Sequence, residues 1–176
     1  VGRVTPNKCQ HDLIRLYGCY KRYVNPKSRL ILVGKYDGFE QYLWECQKLV
    51  NRLRLGDVIF TGRVNHDELM AYYRLADIFV SMSEHEGFGV PLVESMIHRL
   101  PVLAFSAAAV PFTMGSAGVL FDKKDRLPEL AELAGLVITD HRLRTDILIN
   151  QDRRLDYFKP NAIQNSWEKC LSQLLN

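Results

Sequence analysis

The stretch SEHEGFGVPLVE, Ser83 to Glu94, sets three carboxylates, two glycines and a proline between an apolar run that reads as a buried strand and a second that reads as a helix. Gly87 and Gly89 let the backbone approach a ligand without side-chain obstruction, and Pro91 suits a first helical turn, so the loop would turn free N–H groups toward an anion. Glu94, one turn into that helix, is favoured there by the helix dipole by about 0.3–1 kcal/mol, which accounts for it without any function. Glu86 is different. At the end of a buried strand a carboxylate is costly unless something donates hydrogen bonds to it, and sugar hydroxyls are natural donors. Paired carboxylates also serve acid–base hydrolysis, but a loop residue and a helix residue need not face one bond.

Working outward, apolar strand-like runs alternate with amphipathic stretches. Leu13, Ile14, Leu16, Tyr17 and Tyr20 recur at helical spacing from about Gln10 to Tyr23, and Asn25-Pro26 ends the pattern. RLILVG (29–34) is a continuous apolar run closed by glycine, as in a strand covered on both faces. A helix over roughly 39–53, the strand DVIFTG, and NHDELMAYYRLA with Asn65 and Glu68 in capping-box register follow. DIFVSM, PVLAF and GVLF read as further strands, and the remainder is helical in pattern. This alternation predicts an α/β fold, a doubly wound Rossmann-like parallel sheet of about six strands with helices on both faces. Ligands of such sheets bind beyond the carboxyl ends of the strands, where the loops of interest leave. Residues 1–176 are expected to form one domain.

Composition narrows the function. Hydrophobic residues are 47% and charged residues 24%, and the net charge is +3 with no block of five like charges, which argues against nucleic acid. No apolar run approaches the ~20 residues that span a bilayer, so a cytoplasmic protein is expected. Cys9, Cys19, Cys46 and Cys170 form no C-x-x-C pair, and the five histidines form no ligand set, so reduced structural thiols and no metal are expected. VGKYDG lacks the assembled G-x-G-x-x-G pattern of a dehydrogenase.

In VGRVTPNK, Arg3 and Lys8 lie on one strand-to-helix turn stiffened by Pro6, two cations facing the same crevice. Each could hold a phosphate oxygen through a charge-assisted bond of roughly 1.5–3 kcal/mol. The alternative is a solvated basic turn.

Four blocks, VGRVTPNKC, RLILVG, VIFTGRVNHDELMAYYRLADIFV and SEHEGFGVPLVESM, occur in the order and spacing of a known family. Together they resemble the retaining glycosyltransferases of the GT-B fold that carry an E-x7-E signature, and the likeness runs from Val1 to about Leu120. The resemblance implies that Arg3 and Lys8 hold the donor diphosphate, that Glu86 binds hydroxyls of the transferred sugar, and that Glu94 accepts from the nucleotide ribose. Gly87, Phe88, Gly89 and Val90 would offer backbone contacts, and Val64 would pack on the base. On this reading Glu86, Arg3 and Lys8 are the catalytic set. The donor would be a GDP- or UDP-sugar, mannose being the family-based expectation, with a glycan or lipid-linked acceptor and no metal. Positive side chains and a helix start would stabilise charge growing on the departing β-phosphate.

The resemblance also implies that this is the carboxyl-terminal half of a GT-B enzyme, without the acceptor domain and inactive by itself. The full-length enzyme would be cytoplasmic or peripheral at the inner face of a membrane, and SWEKCLSQLL matches the closing helix that packs back toward the acceptor domain. One block departs from the pattern: where relatives have a glycine-rich turn and Pro-Glu, this chain has SAAAVPF, with Ala107, Ala108 and Ala109. Two other readings share the architecture, a nucleotide-sugar epimerase and a non-catalytic nucleotide-binding regulatory domain.

Overall fold

The computed structural model describes residues 1–174. Helix α1 (Gln10–Tyr23) is followed by β1 (Leu30–Val33), α2 (Glu40–Arg52), β2 (Val58–Gly62), α3 (His66–Leu75), β3 (Phe79–Ser81), α4 (Val90–Ile97), β4 (Val102–Phe105), α5 (Val110–Met114) and β5 (Val119–Phe121). Three helices close the described chain, α6 (Leu127–Thr139), α7 (His141–Leu155) and α8 (Pro160–Leu174). The Asn65 capping box forms as its spacing predicts: the Asn65 side chain accepts from Glu68 N at 2.9 Å, and the Glu68 carboxylate accepts from Asn65 N at 2.8 Å.

All strand pairs are parallel, but they form two ladders, β1–β2 and β3–β4–β5. The expected sixth strand is therefore corrected to five among the described residues. Val1–Val4 runs beside β1 and is tied to it by Gly2 N to Val33 O and Val4 N to Lys35 O, both 2.9 Å, a contact too short to extend the ladder. Between the ladders lies a cavity of about 520 Å³ lined by Leu30–Val33 and Ile78–Val80, with Leu16, Tyr17 and Ala134 behind.

Strand β4 shows why the sheet is covered on both faces. Val102, Leu103 and Ala104 are fully buried, and their side chains alternate between two cores. Val102 and Ala104 join Tyr73, Leu92, Met96 and Met114 from α3, α4 and α5. Leu103 joins Leu16, Leu130 and Ala134 from α1 and α6. A period of two that is apolar at every position is what a strand packed by helices on each side requires. A third cluster, Ile14, Leu32, Cys46 and Leu49, seats α1 and α2 on β1.

The seam between Val1–Val4 and β1 depends on Gly34. Its φ is +150°, and a Cβ built there would lie 2.0 Å from the Gly2 carbonyl oxygen, which is backbone and cannot yield as a side chain tip can. Gly34→Ala should therefore lower stability by about 3 kcal/mol or more, as overpacking combined with a forbidden conformation does. Urea denaturation measures this, and an unchanged midpoint would show that the seam is not built as described.

Candidate functional site

Three loops leave the carboxyl ends of the strands and meet. The first, after Val1–Val4, opens with a 3-10 turn over Pro6–Lys8 and turns into α1 through Cys9, whose φ is +52°. The second joins β3 to α4 and carries the Glu-Gly stretch. Asn7 O binds the two together, accepting Glu84 N at 3.0 Å and lying 3.2 Å from the buried Ser83 hydroxyl. The third loop, between β4 and α5, donates Ala109 N to Glu86 O at 3.2 Å, while Thr113 Oγ1 donates to Phe88 O. Two of these ties, Glu84 N to Asn7 O and Ala109 N to Glu86 O, are main chain to main chain, and the Ser83 and Thr113 hydroxyls add side-chain bonds to main-chain carbonyls.

This bolting sets Lys8 Nζ 2.6 Å from Glu86 Oε1, with side-chain exposures of 25% and 13%. A half-buried ion pair of this kind gives up hydration on both partners, so its Coulombic gain is largely offset. Such a pair is well placed to exchange partners when a charged, hydroxyl-rich ligand enters.

The two glycines of the loop serve different ends. Gly89 caps α4 at φ +85°, where a Cβ would meet Leu92 Cδ1 at 2.6 Å. Around Gly87 nothing lies within 4 Å of a built Cβ, so the loop borders open space next to Glu86 in the chain. The helix start offers fewer donors than its sequence suggests, because Pro91 has no N–H and Leu92 N donates to Gly89 O at 2.9 Å; the Gly89 and Val90 N–H groups stand at its opening. Phe88 and Val90 are exposed, and the Phe88 ring meets Phe158 edge-on at 5.6 Å.

Glu94 stands one turn into α4, and its Oε2 accepts from the Tyr73 hydroxyl at 2.7 Å. Lys8 and Glu86 line one small cavity with Ser83, Gly89, Pro91 and Leu92, from the loop and the helix that carry the acidic pair. The other predicted cation is not there. Arg3 is exposed, donates to Asp37 O at 2.6 Å, and lays its guanidinium 4.9 Å from the Phe39 ring centroid, so it caps the β1–α2 loop rather than facing the crevice beside Lys8. Val64 is half-buried in the β2–α3 loop, next to the Asn65 cap, on the other ladder.

Glu84, the third acid of the stretch, turns away to Lys124 at 2.9 Å, whose ammonium holds its carboxyl below the usual range. Lys124 also lies 3.3 Å from Asp12, which Arg15 approaches to 2.9 Å. These cations bear on the one group of ligand-type atoms among the described residues, Cys9, His11 and Asp12. A metal there would have to displace both cations from Asp12 and deprotonate a thiol that burial pushes up, and the His11 ring is engaged by the Tyr42 hydroxyl at 2.8 Å. The donor set does not fit a metal. All four cysteines are free, and burial raises the Cys46 thiol to about 11.

Sequence reasoning missed Tyr73, Asn7, Ser83 and Thr113. Asn7 and Ser83 act through a carbonyl and a buried hydroxyl that no motif marks. The helical spacing of Tyr72-Tyr73 could have shown that only one of the two faces inward.

The family model for glycosyl transferases group 1 matches residues 1–154. The chain is 31% identical to O-antigen chain mannosyltransferase B of Escherichia coli over its whole length, spanning 44% of that protein. Its fold matches the C-terminal domain of a glycosyl transferase group 1 family protein (LpcC) from Francisella tularensis with a TM-score of 0.75 at 25% identity, covering 89% of this chain and 82% of that one. It matches Anabaena HepE, solved with UDP and glucose, with a TM-score of 0.81 at 26% identity, covering 98% of this chain and 47% of that one. The chain thus spans about half the length of the relatives that are longer.

Proposed function

The chain belongs to the glycosyl transferases group 1 family, with the fold of the carboxyl-terminal domain of a GT-B transferase, and from this we propose that it is the donor-binding half of a retaining enzyme. In that role it holds a nucleoside-diphosphate hexose for transfer to a glycan or lipid-linked acceptor. The observation that carries the reading is the 2.6 Å pairing of Lys8 with Glu86 at the carboxyl edge, a cation and a carboxylate within reach of one small ligand. A diphosphate takes the ammonium, and sugar hydroxyls take the carboxylate, so each loses one partner and gains another.

Departure of the nucleoside diphosphate builds negative charge on the β-phosphate, and Lys8 with the Val90 N–H stabilises it as it grows. Arg3 joins them only after leaving the Asp37 carbonyl, which gives the site a cation that closes on the loaded donor. Charge of this kind is what a bound divalent ion would otherwise supply, so the reading calls for no metal. The open space at Gly87 admits the sugar, the Gly87–Val90 backbone and Phe88 border it, Val64 packs on the base, and Glu94 meets the ribose. The E. coli relative is a mannosyltransferase, and HepE was solved with UDP and glucose. We favour mannose from a guanosine or uridine donor, with Glu86 selecting the sugar because a wrong epimer leaves its buried oxygen unpaired.

Acceptor binding is assigned to a partner domain. On α8, Ile163, Trp167 and Leu171 are 45, 65 and 51% exposed at successive helical turns, a stripe suited to that contact. No helix of the described residues is long and apolar enough to cross a membrane, and a peripheral site of action suits a lipid-linked acceptor. By itself the chain should transfer little sugar.

Calorimetric titration of the chain with UDP, GDP and their hexose conjugates tests the reading. One nucleoside diphosphate should bind, Lys8→Met should weaken it roughly 10- to 100-fold, in line with a charged hydrogen bond, and Glu86→Ala should erase any preference for the sugar conjugate. Absence of binding at millimolar ligand would overturn it.

A further inference from the structure

We propose that Tyr73 is a positioning residue that holds Glu94 in the orientation from which its free oxygen meets the ribose hydroxyls, so that selection of ribose over deoxyribose depends on a helix that never touches the donor. The proposal rests on the donor-site reading above.

The geometry begins with the Tyr72-Tyr73 pair on α3. Consecutive helical residues point about 100° apart, so only one of the two can face the core. Tyr73 does, at 2% exposure. A phenol so buried must find an acceptor, and it finds the carboxylate of Glu94, 2.7 Å away and 21 positions later in the chain. The ring itself cannot swing. It stacks on His98 with centroids 5.4 Å apart and planes 8° from parallel, and packs against Phe79 at 6.4 Å. His98 is held in turn by Met70, with Nε2 3.0 Å from Sδ.

A carboxylate is planar, so holding one oxygen of a side chain rooted on a helix narrows the directions open to the other. Ser95 Oγ donates back to Pro91 O at 2.7 Å, so the neighbouring polar side chain does not compete for the Glu94 carboxylate. Among the described residues the Glu94 carboxylate has no hydrogen-bond or ion-pair partner besides Tyr73, which leaves Oε1 and one lone pair of Oε2 open. Two vicinal hydroxyls match those vacancies, and one hydroxyl does not. Burial and the adjacent carboxylate both push the Tyr73 phenol up, so it stays a donor across the working range. A glutamate without this tether would have to be ordered by the ligand, and that entropy would be taken from affinity.

The test is titration of the chain and of Tyr73→Phe with UDP and 2′-deoxy-UDP, or the guanosine pair if that base is preferred. Phenylalanine keeps the stack and the volume and removes only the hydroxyl. The unaltered chain should prefer the ribonucleotide. In Tyr73→Phe affinity for the deoxy form should hold while that for the ribonucleotide falls roughly tenfold, with little change in unfolding midpoint. An unchanged ribose-to-deoxyribose ratio, or equal weakening of both ligands, would overturn the proposal and leave the donor site standing. No binding by the unaltered chain would overturn the donor site and this inference with it. Should Tyr73→Phe not fold, Tyr73→Met, which fills the pocket with a flexible chain, is read by the same ratio.

Discussion

The carbonyl of Asn7 is the fastening on which the site depends. By receiving the Glu84 amide and standing beside the Ser83 hydroxyl it joins the loop that precedes α1 to the loop that precedes α4. Only because these loops are fixed to each other do Lys8 and Glu86 arrive at 2.6 Å. Both bonding groups of the Ser83-Glu84 side are sheltered or main-chain, so the fastening does not compete with ligand for side chains. It also lies on the seam between the two ladders, where the sheet has least hydrogen bonding to keep its halves in register.

The electrostatics follow from that fixed geometry. Each acid of the Glu-Gly stretch has its own partner: Glu84 has Lys124, Glu86 has Lys8, and Glu94 has Tyr73. Ion pairing removes Glu84 from the crevice, since Lys124 also binds Asp12 and packs over Phe105 at 4.5 Å. A neutral donor on Glu94 leaves its charge in place for a ligand. Lys8 and Glu86 hold one another in the meantime, which spares the crevice an unpaired buried charge.

The altered β4–α5 loop braces the Glu-Gly loop. Where relatives are expected to have glycine, Ala108 adopts φ +50°, a conformation that side chains resist. The strain is held by contacts on both sides: Ala109 N and Thr113 Oγ1 grip the Glu-Gly loop, and Arg154 from α7 donates to Thr113 O at 3.0 Å while its guanidinium lies over Tyr157 and Phe158. The loop thus buttresses Glu86 through the Ala109 N–H, a main-chain bond that a glycine-to-alanine exchange leaves intact.

The sequence by itself determined the α/β class, β1 to β5 and α1 to α4 within about two residues, the Asn65 cap and the acidic pair around two glycines, while it missed α5 and read α6 to α8 only as a helical remainder. Those features are local, because hydrophobic period, cap spacing and glycine placement each report how a residue meets its own element. Tertiary structure alone decided that Val1–Val4 does not complete a ladder, that Arg3 turns to Asp37 rather than to the crevice, and that Tyr73, not Tyr72, reaches Glu94. Each outcome is a competition between partners brought together by chain folding, and a long flexible or rotatable side chain goes to the nearest acceptor that packing leaves open. Periodicity places a side chain on a face, while the identity of what waits there comes from another part of the chain.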